Sequence, residues 1–240
     1  FVPARFGGLE GVVIEDVEYD NLYRITRDTD ITNQSTTTEW HPQKDLVLST
    51  TDKTGLKTTT IYDDGILKVD NDFEAIKGDH EMLLKFGNEL LLPKKLDTFK
   101  WYGRGPWESY EDRKFSAMVG IYEGSVEEQY HPYVRPQESG NKTDVRWAQI
   151  SNGRKTGIKV MFTEKLLDVS ALPYSWEQLY PSSEKSQEHS ELLKKGEYTY
   201  LDVDLKQMGI AGINSWGTLP LEEYRVPYQD YSYSYIIKPL

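Results

Sequence analysis

The sequence predicts an all-β protein, an antiparallel sandwich, on three observations. Short runs rich in β-branched and aromatic residues recur along the chain, Gly and Pro clusters separate them, and the 3.6-residue period of an amphipathic helix is scarce.

Taken in order, Gly11-Val12-Val13-Ile14-Glu15-Asp16-Val17 reads as a first strand. Lys57-Thr58-Thr59-Thr60-Ile61-Tyr62 alternates, and Asp63-Asp64-Gly65 turns the chain into Ile66-Leu67-Lys68-Val69. An Asp-Gly step between two such runs marks a hairpin, because the turn needs the positive φ that glycine adopts without a steric cost. Residues 157–162, 198–204 and 231–237 repeat the strand pattern. The best helix candidates, 175–179 and 186–193, are too short to organise a fold. There is no repeat, low-complexity tract or flexible linker, so one domain spanning residues 1–240 is the simplest reading.

Composition excludes several functions. The net charge is −11 and no stripe of Lys and Arg exists, whereas a nucleic-acid binder needs concentrated positive charge to neutralise phosphates. Cysteine is absent, which removes disulfides, thiolate nucleophiles and Cys-based zinc sites and leaves reducing and oxidising compartments equally open. No apolar run approaches the roughly 20 residues that span a bilayer, so no membrane partner is expected. Phe1 to Arg5 carries no signal-peptide pattern and reads as the start of a fragment. The 17 Tyr and 6 Trp suit both β-sheet cores and sugar faces, and ordinary core packing accounts for most of them.

Residues 101–147 are unlike generic β sequence. Trp101-Tyr102-Gly103-Arg104-Gly105-Pro106-Trp107-Glu108-Ser109-Tyr110-Glu111-Asp112-Arg113-Lys114 is followed by Tyr130-His131-Pro132-Tyr133-Val134-Arg135-Pro136-Gln137-Glu138-Ser139-Gly140-Asn141 and by Asp144-Val145-Arg146-Trp147. Loops this rich in Gly, Pro and charge need a specific backbone path. Arg104, Arg113, Arg135 and Arg146 among Glu108, Asp112, Glu138 and Asp144 point to partly buried Arg–carboxylate forks.

This central block resembles the small-chain, C-terminal domain of β-galactosidases of glycoside hydrolase family 2. Two further patches agree, in the family's order. Arg24-Ile25-Thr26-Arg27-Asp28-Thr29-Asp30-Ile31 is similar to the domain's opening R-A-P-x-D-N-D motif, with Thr26 and Thr29 in place of Pro and Asn. Met208-Gly209-Ile210-Ala211-Gly212-Ile213-Asn214-Ser215-Trp216-Gly217 is similar to its closing G-x-G-G-x-x-S-W-G motif. Residues 1–21 match poorly and read as a truncated start.

The resemblance implies a large antiparallel supersandwich similar to galactose mutarotase. It places catalysis in a separate (β/α)8 barrel of the same polypeptide, where two glutamates about 5 Å apart act in a retaining mechanism. The small-chain domain then buttresses the barrel and completes the galactoside site with Trp216, matched to the family's N-S-W-G-like turn. An indole covers the apolar C–H face of a galactose ring while its N–H still reaches water or a hydroxyl; the bland alternative is a core Trp, as expected for Trp101 and Trp147. Asp28 and Asp30 are also assigned to substrate binding. Carboxylates two apart in a loop accept sugar hydroxyls, hold a cation or fix the loop's own amides, and Arg24 braces that loop. Gln137 and Glu138 read as scaffold. No metal or cofactor is expected in this fragment. A divalent or monovalent cation, and homo-oligomerisation, are compatible with the full enzyme.

No catalytic residue is assigned to the chain itself, so the fragment alone is expected to be inactive. Glu127-Glu128 and Glu222-Glu223 are adjacent pairs, and on a strand neighbours point to opposite faces. His41, His80, His131 and His189 are too scattered for a metal site. A free-standing carbohydrate-binding module and an aldose-1-epimerase on the mutarotase architecture are the alternatives. The latter needs a histidine acid and a carboxylate base facing one sugar.

Overall fold

A computed structural model describes residues 16–29, 34–42, 46–52, 54–63, 65–75, 82–180, 189–210, 214 and 217–240. Among these residues the chain is almost wholly β. Its strands are β1 (Asp16–Tyr19), β2 (Ile25–Thr29), β3 (Ser35–Trp40), β4 (Val47–Thr51), β5 (Lys57–Asp63), β6 (Ile66–Phe73), β7 (Met82–Leu83), β8 (Lys85–Pro93) and β9 (Thr98–Gly105). They continue with β10 (Met118–Ser125), β11 (Lys142–Val145), β12 (Trp147–Ser151), β13 (Gly157–Phe162) and β14 (Leu167–Leu172). A helical turn α1 (Trp176–Leu179) precedes β15 (Tyr198–Gln207), β16 (Val226–Pro227) and β17 (Tyr231–Pro239). No described helix is long and apolar enough to cross a membrane.

The strands form an 11-stranded sheet in the order β1-β2-β3-β4-β5-β6-β17-β13-β12-β9-β10 and a 4-stranded sheet in the order β11-β14-β15-β8; β16 and β7 pair separately. The predicted hairpin is β5–β6, with Asp63 opposite Ile66 and Gly65 at φ +78°. The strand predicted over 157–162 is β13, while β15 and β17 run on to Gln207 and Pro239. Of the strand read over 11–17, residues 11–15 lie outside the described residues.

Alternation places the core between the sheets. Phe99 and Trp101 of β9, Ile150 of β12, Val160 of β13 and Tyr235 of β17 meet Val169 of β14 and Leu201 and Val203 of β15 in one buried cluster. Two tyrosines of β17 reach across: Tyr233 donates to Val203 O at 2.7 Å, and Tyr235 donates to Asn88 Oδ1 at 3.0 Å. Trp101 is in the core as expected. Trp147 is only half-buried, on the opposite face of the large sheet, with Lys159 Nζ 4.1 Å from its ring centre.

The four-stranded sheet is covered on both faces. All six residues of β14 are buried. Leu167, Val169 and Ala171 face the core, while Leu172 belongs to a second cluster with Tyr174 and Leu179. Asp168 and Ser170, opposite Asp204 and Asp202 of β15, lie on that second, polar face. The loops of residues 106–117 and 130–141, α1 and the segment after β15 close over it, and this layer positions the site.

Several local expectations change. Ser175 caps α1 in a capping box with Gln178, confirming the first helix candidate. The described part of the second, from His189 onward, is an isolated turn closed by Leu192 N donating to His189 O at 2.8 Å. The glutamate pairs lie in short 3-10 turns, Glu127–Gln129 and Glu222–Tyr224, and not on strands. Glu128 accepts Ser125 N at 2.8 Å, and Glu127 pairs with Lys195 at 2.5 Å, so neither residue faces a shared substrate position.

Candidate functional site

The motif-rich block zips its two halves together. Ser109 N donates to Asn141 O at 2.8 Å, Asn141 Nδ2 returns to Ser109 O at 3.0 Å, and Thr143 N donates to Ser109 Oγ at 3.0 Å. Glu108 is the hub. It accepts hydrogen bonds from Arg113 Nη2 and Tyr133 OH, and from Gly140 N at 2.8 Å. Gly140 has φ +75°, and a Cβ there would lie 2.6 Å from Gln129 O, so glycine is required. Arg104 forms a second fork, Nε to Asp144 Oδ2 at 2.5 Å and Nη1 to Lys114 O and Ala117 O at 3.2 and 3.0 Å. Arg146 donates to the Asp144 carbonyl instead of a carboxylate and lies over Tyr102. Among the described residues Arg135 forms no ion pair, and the residue is exposed at the rim of a cavity.

That cavity, about 420 Å³, opens between the covering loops. Tyr133, Arg135 and Glu138 form one wall, Trp176 and Tyr180 a second, and Gln207 to Ile210 with Asn214 and Gly217 a third. Trp176 is fixed from three directions. Its amide donates to Glu89 Oε2 at 2.8 Å, its indole Nε1 donates to Glu138 Oε1 at 3.1 Å, and Tyr180 stacks on it with centroids 5.6 Å apart. Glu138 therefore binds an indole and not an arginine, and it lines the cavity, where the sequence reading had it as scaffold.

Lys85, 5.6 Å from the Trp176 ring centre, links this wall to the polar face of the small sheet. It pairs with Asp202 Oδ2 at 2.6 Å. Burial disfavours its ammonium, but Asp202, Asp204 and Glu138 outweigh burial and hold its pKa above the usual lysine value. Burial pushes the carboxyls of Glu138 and Asp204 upward, with Lys85 opposing in both cases. The result is a buried acidic cluster with one resident cation. Among the described residues no group of three His, Cys, Asp or Glu side chains is arranged to hold a metal ion.

A second cavity, about 360 Å³, lies over β6 and β17. Part of its polar wall is paired: Ser234 Oγ donates to Asp70, and Thr163 and Lys165 donate to the Ser234 and Ser232 carbonyls, each at 3.0 Å. Asn71, also in the wall, accepts from Thr58 through Oδ1 at 2.8 Å, while its buried Nδ2 has no hydrogen-bond partner among the described residues.

Of the sequence-predicted site residues, Trp216 and Asp30 lie outside the described residues. The neighbours of Trp216 do not: Asn214 and Gly217 line the larger cavity, and Gly217 has φ +80°, the backbone of a tight turn. Asp28 sits in strand β2, not in a loop, half-buried and opposite Val17 and Thr36. The β-branched flanks Ile25, Thr26 and Thr29 account for the strand. Asp28 lines neither cavity. Arg24, expected to brace the Asp28–Asp30 loop, instead holds the turn before β2 and the end of β3, with Nε on Asp20 Oδ2 at 2.8 Å and Nη1 on His41 O at 3.1 Å; residues 30–33 lie outside the described residues. His41, His131 and His189 line neither cavity. Sequence reasoning missed Trp176, Tyr180 and Lys85. The one local signal was an aromatic at the first position of a capped helix too short to carry a core stripe.

A two-sheet antiparallel sandwich, with loops enclosing an aromatic-walled cavity over its smaller sheet, is the class of domain that fold and site define. The chain belongs to the β-galactosidase small-chain family, whose pattern residues 11–237 match. It is 35% identical over 184 residues to the β-galactosidase of Priestia megaterium, covering 76% of this chain and 17% of that protein. It is 39% identical over 153 residues to that of Lactobacillus delbrueckii subsp. bulgaricus, covering 64% and 14%. The β-galactosidase of Streptococcus thermophilus is 34% identical over 157 residues, covering 65% and 15%. The chain thus spans about a sixth of the length of the curated relatives it matches.

Proposed function

We propose that this chain is the part of a β-galactosidase that completes the galactoside-binding site and buttresses the catalytic barrel, with the hydrolytic glutamates on the barrel. The observation that carries the reading is the larger cavity, walled by aromatic and planar polar side chains and by the residues on either side of Trp216. In this reading Trp216 covers the C–H face of the galactose ring. With those glutamates on the barrel, the chain alone is expected to turn over no galactoside.

The test is Trp216→Ala in the full-length polypeptide, assayed with a chromogenic galactoside. Loss of a stacked indole weakens galactoside binding by about 1–3 kcal/mol, seen as a raised KM or a lowered kcat/KM. Unchanged KM and kcat would make Trp216 a packing residue and overturn the reading.

A further inference from the structure

The geometry points to the outer face of the large sheet as a docking surface for the remaining polypeptide of a β-galactosidase, which presents to it apolar side chains and a carboxylate for Lys159 and Lys238. The inference rests on the reading above, in which this chain is one part of that enzyme. It deepens that reading by naming the face and the chemistry of its partner.

The first support is an apolar row. Phe99, Trp101, Ile150, Val160 and Tyr235 point into the core, so the residues that alternate with them point outward. Register sets Ile121 of β10 opposite Tyr102 of β9, and Tyr102 opposite Trp147 of β12. Trp147 in turn lies opposite Met161 of β13, and Met161 opposite Ile236 of β17. Five adjacent strands thus contribute one apolar or aromatic side chain each to a row about 20 Å long. None of the five is buried, and Ile121 at the free edge is 61% exposed. A lone exposed hydrophobe is ordinary, whereas a contiguous row across five strands marks a face that meets another surface.

The second support is charge. The neighbouring row, two residues along each strand, holds Glu123, Lys100, Gln149, Lys159 and Lys238. Lys100 pairs with Glu123 at 2.8 Å. Lys159 and Lys238 stand directly opposite each other, and among the described residues neither is in an ion pair. Like charges placed opposite one another on a sheet are destabilising. Burial and the facing Lys238 together hold the Lys159 ammonium below the usual lysine value. In a chain of net charge −11, two facing ammonium groups without a counter-ion fit a carboxylate that arrives from outside these residues.

The third support is what the face selects against. Lys159 Nζ lies 4.1 Å from the Trp147 ring centre and the Arg146 guanidinium 5.2 Å from that of Tyr102. The rings therefore present cations to a partner and are poor platforms for a sugar. A two-fold contact with a second copy sets the same patch against itself, lysine row facing lysine row. The remaining polypeptide has neither defect, and there is much of it: the matched part of this chain covers 17% of the Priestia megaterium relative.

The experiment is zero-length carbodiimide cross-linking of the full-length polypeptide, as a mixture of isotope-labelled and unlabelled protein, read by peptide mass spectrometry. Lys159 or Lys238 is expected to be joined to an Asp or Glu outside residues 1–240 of the same copy. Links between labelled and unlabelled chains put a second copy on the face, and the absence of any link from either lysine to a carboxylate outside residues 1–240 leaves it free; each result overturns the proposal. Lys238→Gln tests the sign of the interaction. On a docked face it strands the partner's carboxylate and lowers the thermal midpoint of the full-length polypeptide by about 2–4 °C. On a free face, removing one of two facing ammonium groups leaves the midpoint unchanged or raises it, which also overturns the proposal. Failure of the galactosidase reading shows separately, as a full-length polypeptide that turns over no galactoside while the cross-links form as expected.

Discussion

Glu108 Oε2 accepts the backbone amide of Gly140 at 2.8 Å, across 32 residues of sequence. Its other oxygen accepts from Arg113 and from Tyr133. One carboxylate therefore holds the loop that leaves β9 against the loop that approaches β11, and the second of these walls the cavity through Tyr133, Arg135 and Glu138.

Removing that carboxylate strands a backbone amide and a guanidinium together. Glu108→Ala is expected to lower the unfolding free energy by about 2–4 kcal/mol, the scale of losing charge-assisted hydrogen bonds to partly buried partners. Urea denaturation checks this. Glu108→Gln keeps the shape and some of the bonding and should lose about half as much. A Glu108→Ala protein within about 0.5 kcal/mol of the unsubstituted one would mean that the two loops are held by Ser109, Asn141 and Thr143 alone.

Gly87 makes the buried cluster under the cavity sterically feasible. A Cβ at that position would lie 1.8 Å from Asp204 Oδ1 and 2.5 Å from Asp204 Cα. Because the second atom is backbone, no rotamer change relieves the clash, and β8 and β15 have to part where Lys85 reaches Asp202. Gly87→Ala is expected to cost about 3 kcal/mol or more, read as a lowered thermal midpoint. A variant that melts with the unsubstituted protein would show that the register shift between Asp204 and Lys206 absorbs the methyl group.

These two residues also show what was legible in the sequence. The hairpin at Gly65 and strands β13, β15 and β17 follow from alternation and turn chemistry, which are local. The Arg–carboxylate content of residues 104–146 was legible as composition, but pairing was not: Glu108 takes Arg113 and an amide 32 residues on, while Glu138 takes the Trp176 indole. The second buried face of β14 was hidden, because Leu167-Asp168-Val169-Ser170-Ala171 alternates as a half-exposed strand does. Its polar face is covered by loops whose path no periodicity encodes. The cavity was illegible for the same reason, being assembled from three segments far apart in sequence.

Arg104 illustrates why a fork is not interchangeable with a single charge. Nε binds Asp144 at 2.5 Å while Nη1 serves two carbonyls of the 106–117 loop. Burial alone would raise the Asp144 carboxyl, but Arg104 and Lys114 outweigh it and hold it below the usual value of 3.8. Its contribution is therefore complete above about pH 4 and is lost as pH falls through the lowered folded value. Arg104→Lys cannot reproduce three directed bonds and is expected to lose about 1–3 kcal/mol at pH 7. Its acid unfolding midpoint should move to higher pH, followed by circular dichroism. An unmoved midpoint would assign the effect on Asp144 to Lys114.

Lys142 carries the opposite sign. Its side chain is almost fully buried in β11, with Nζ 5.0 Å from the centre of the Trp101 ring and no described carboxylate in an ion pair with it. Burial pushes its pKa down from 10.5 to about 8, with Glu108 opposing. Between those two values the unfolded chain holds a proton that the folded protein has released, so stability rises with pH across that window. Below about pH 8 both states are charged, and the folded state bears the whole cost of burying the ammonium, on the order of 3 kcal/mol. Lys142→Met fills the same volume without charge. It is expected to raise the unfolding free energy at pH 7 by about 1–3 kcal/mol and to flatten its rise between about pH 8 and 10. Urea denaturation of both proteins at pH 7, 8.5 and 10 reads both effects. A destabilised methionine variant with the slope intact would show that Trp101 and Glu108 hold the ammonium favourably in place.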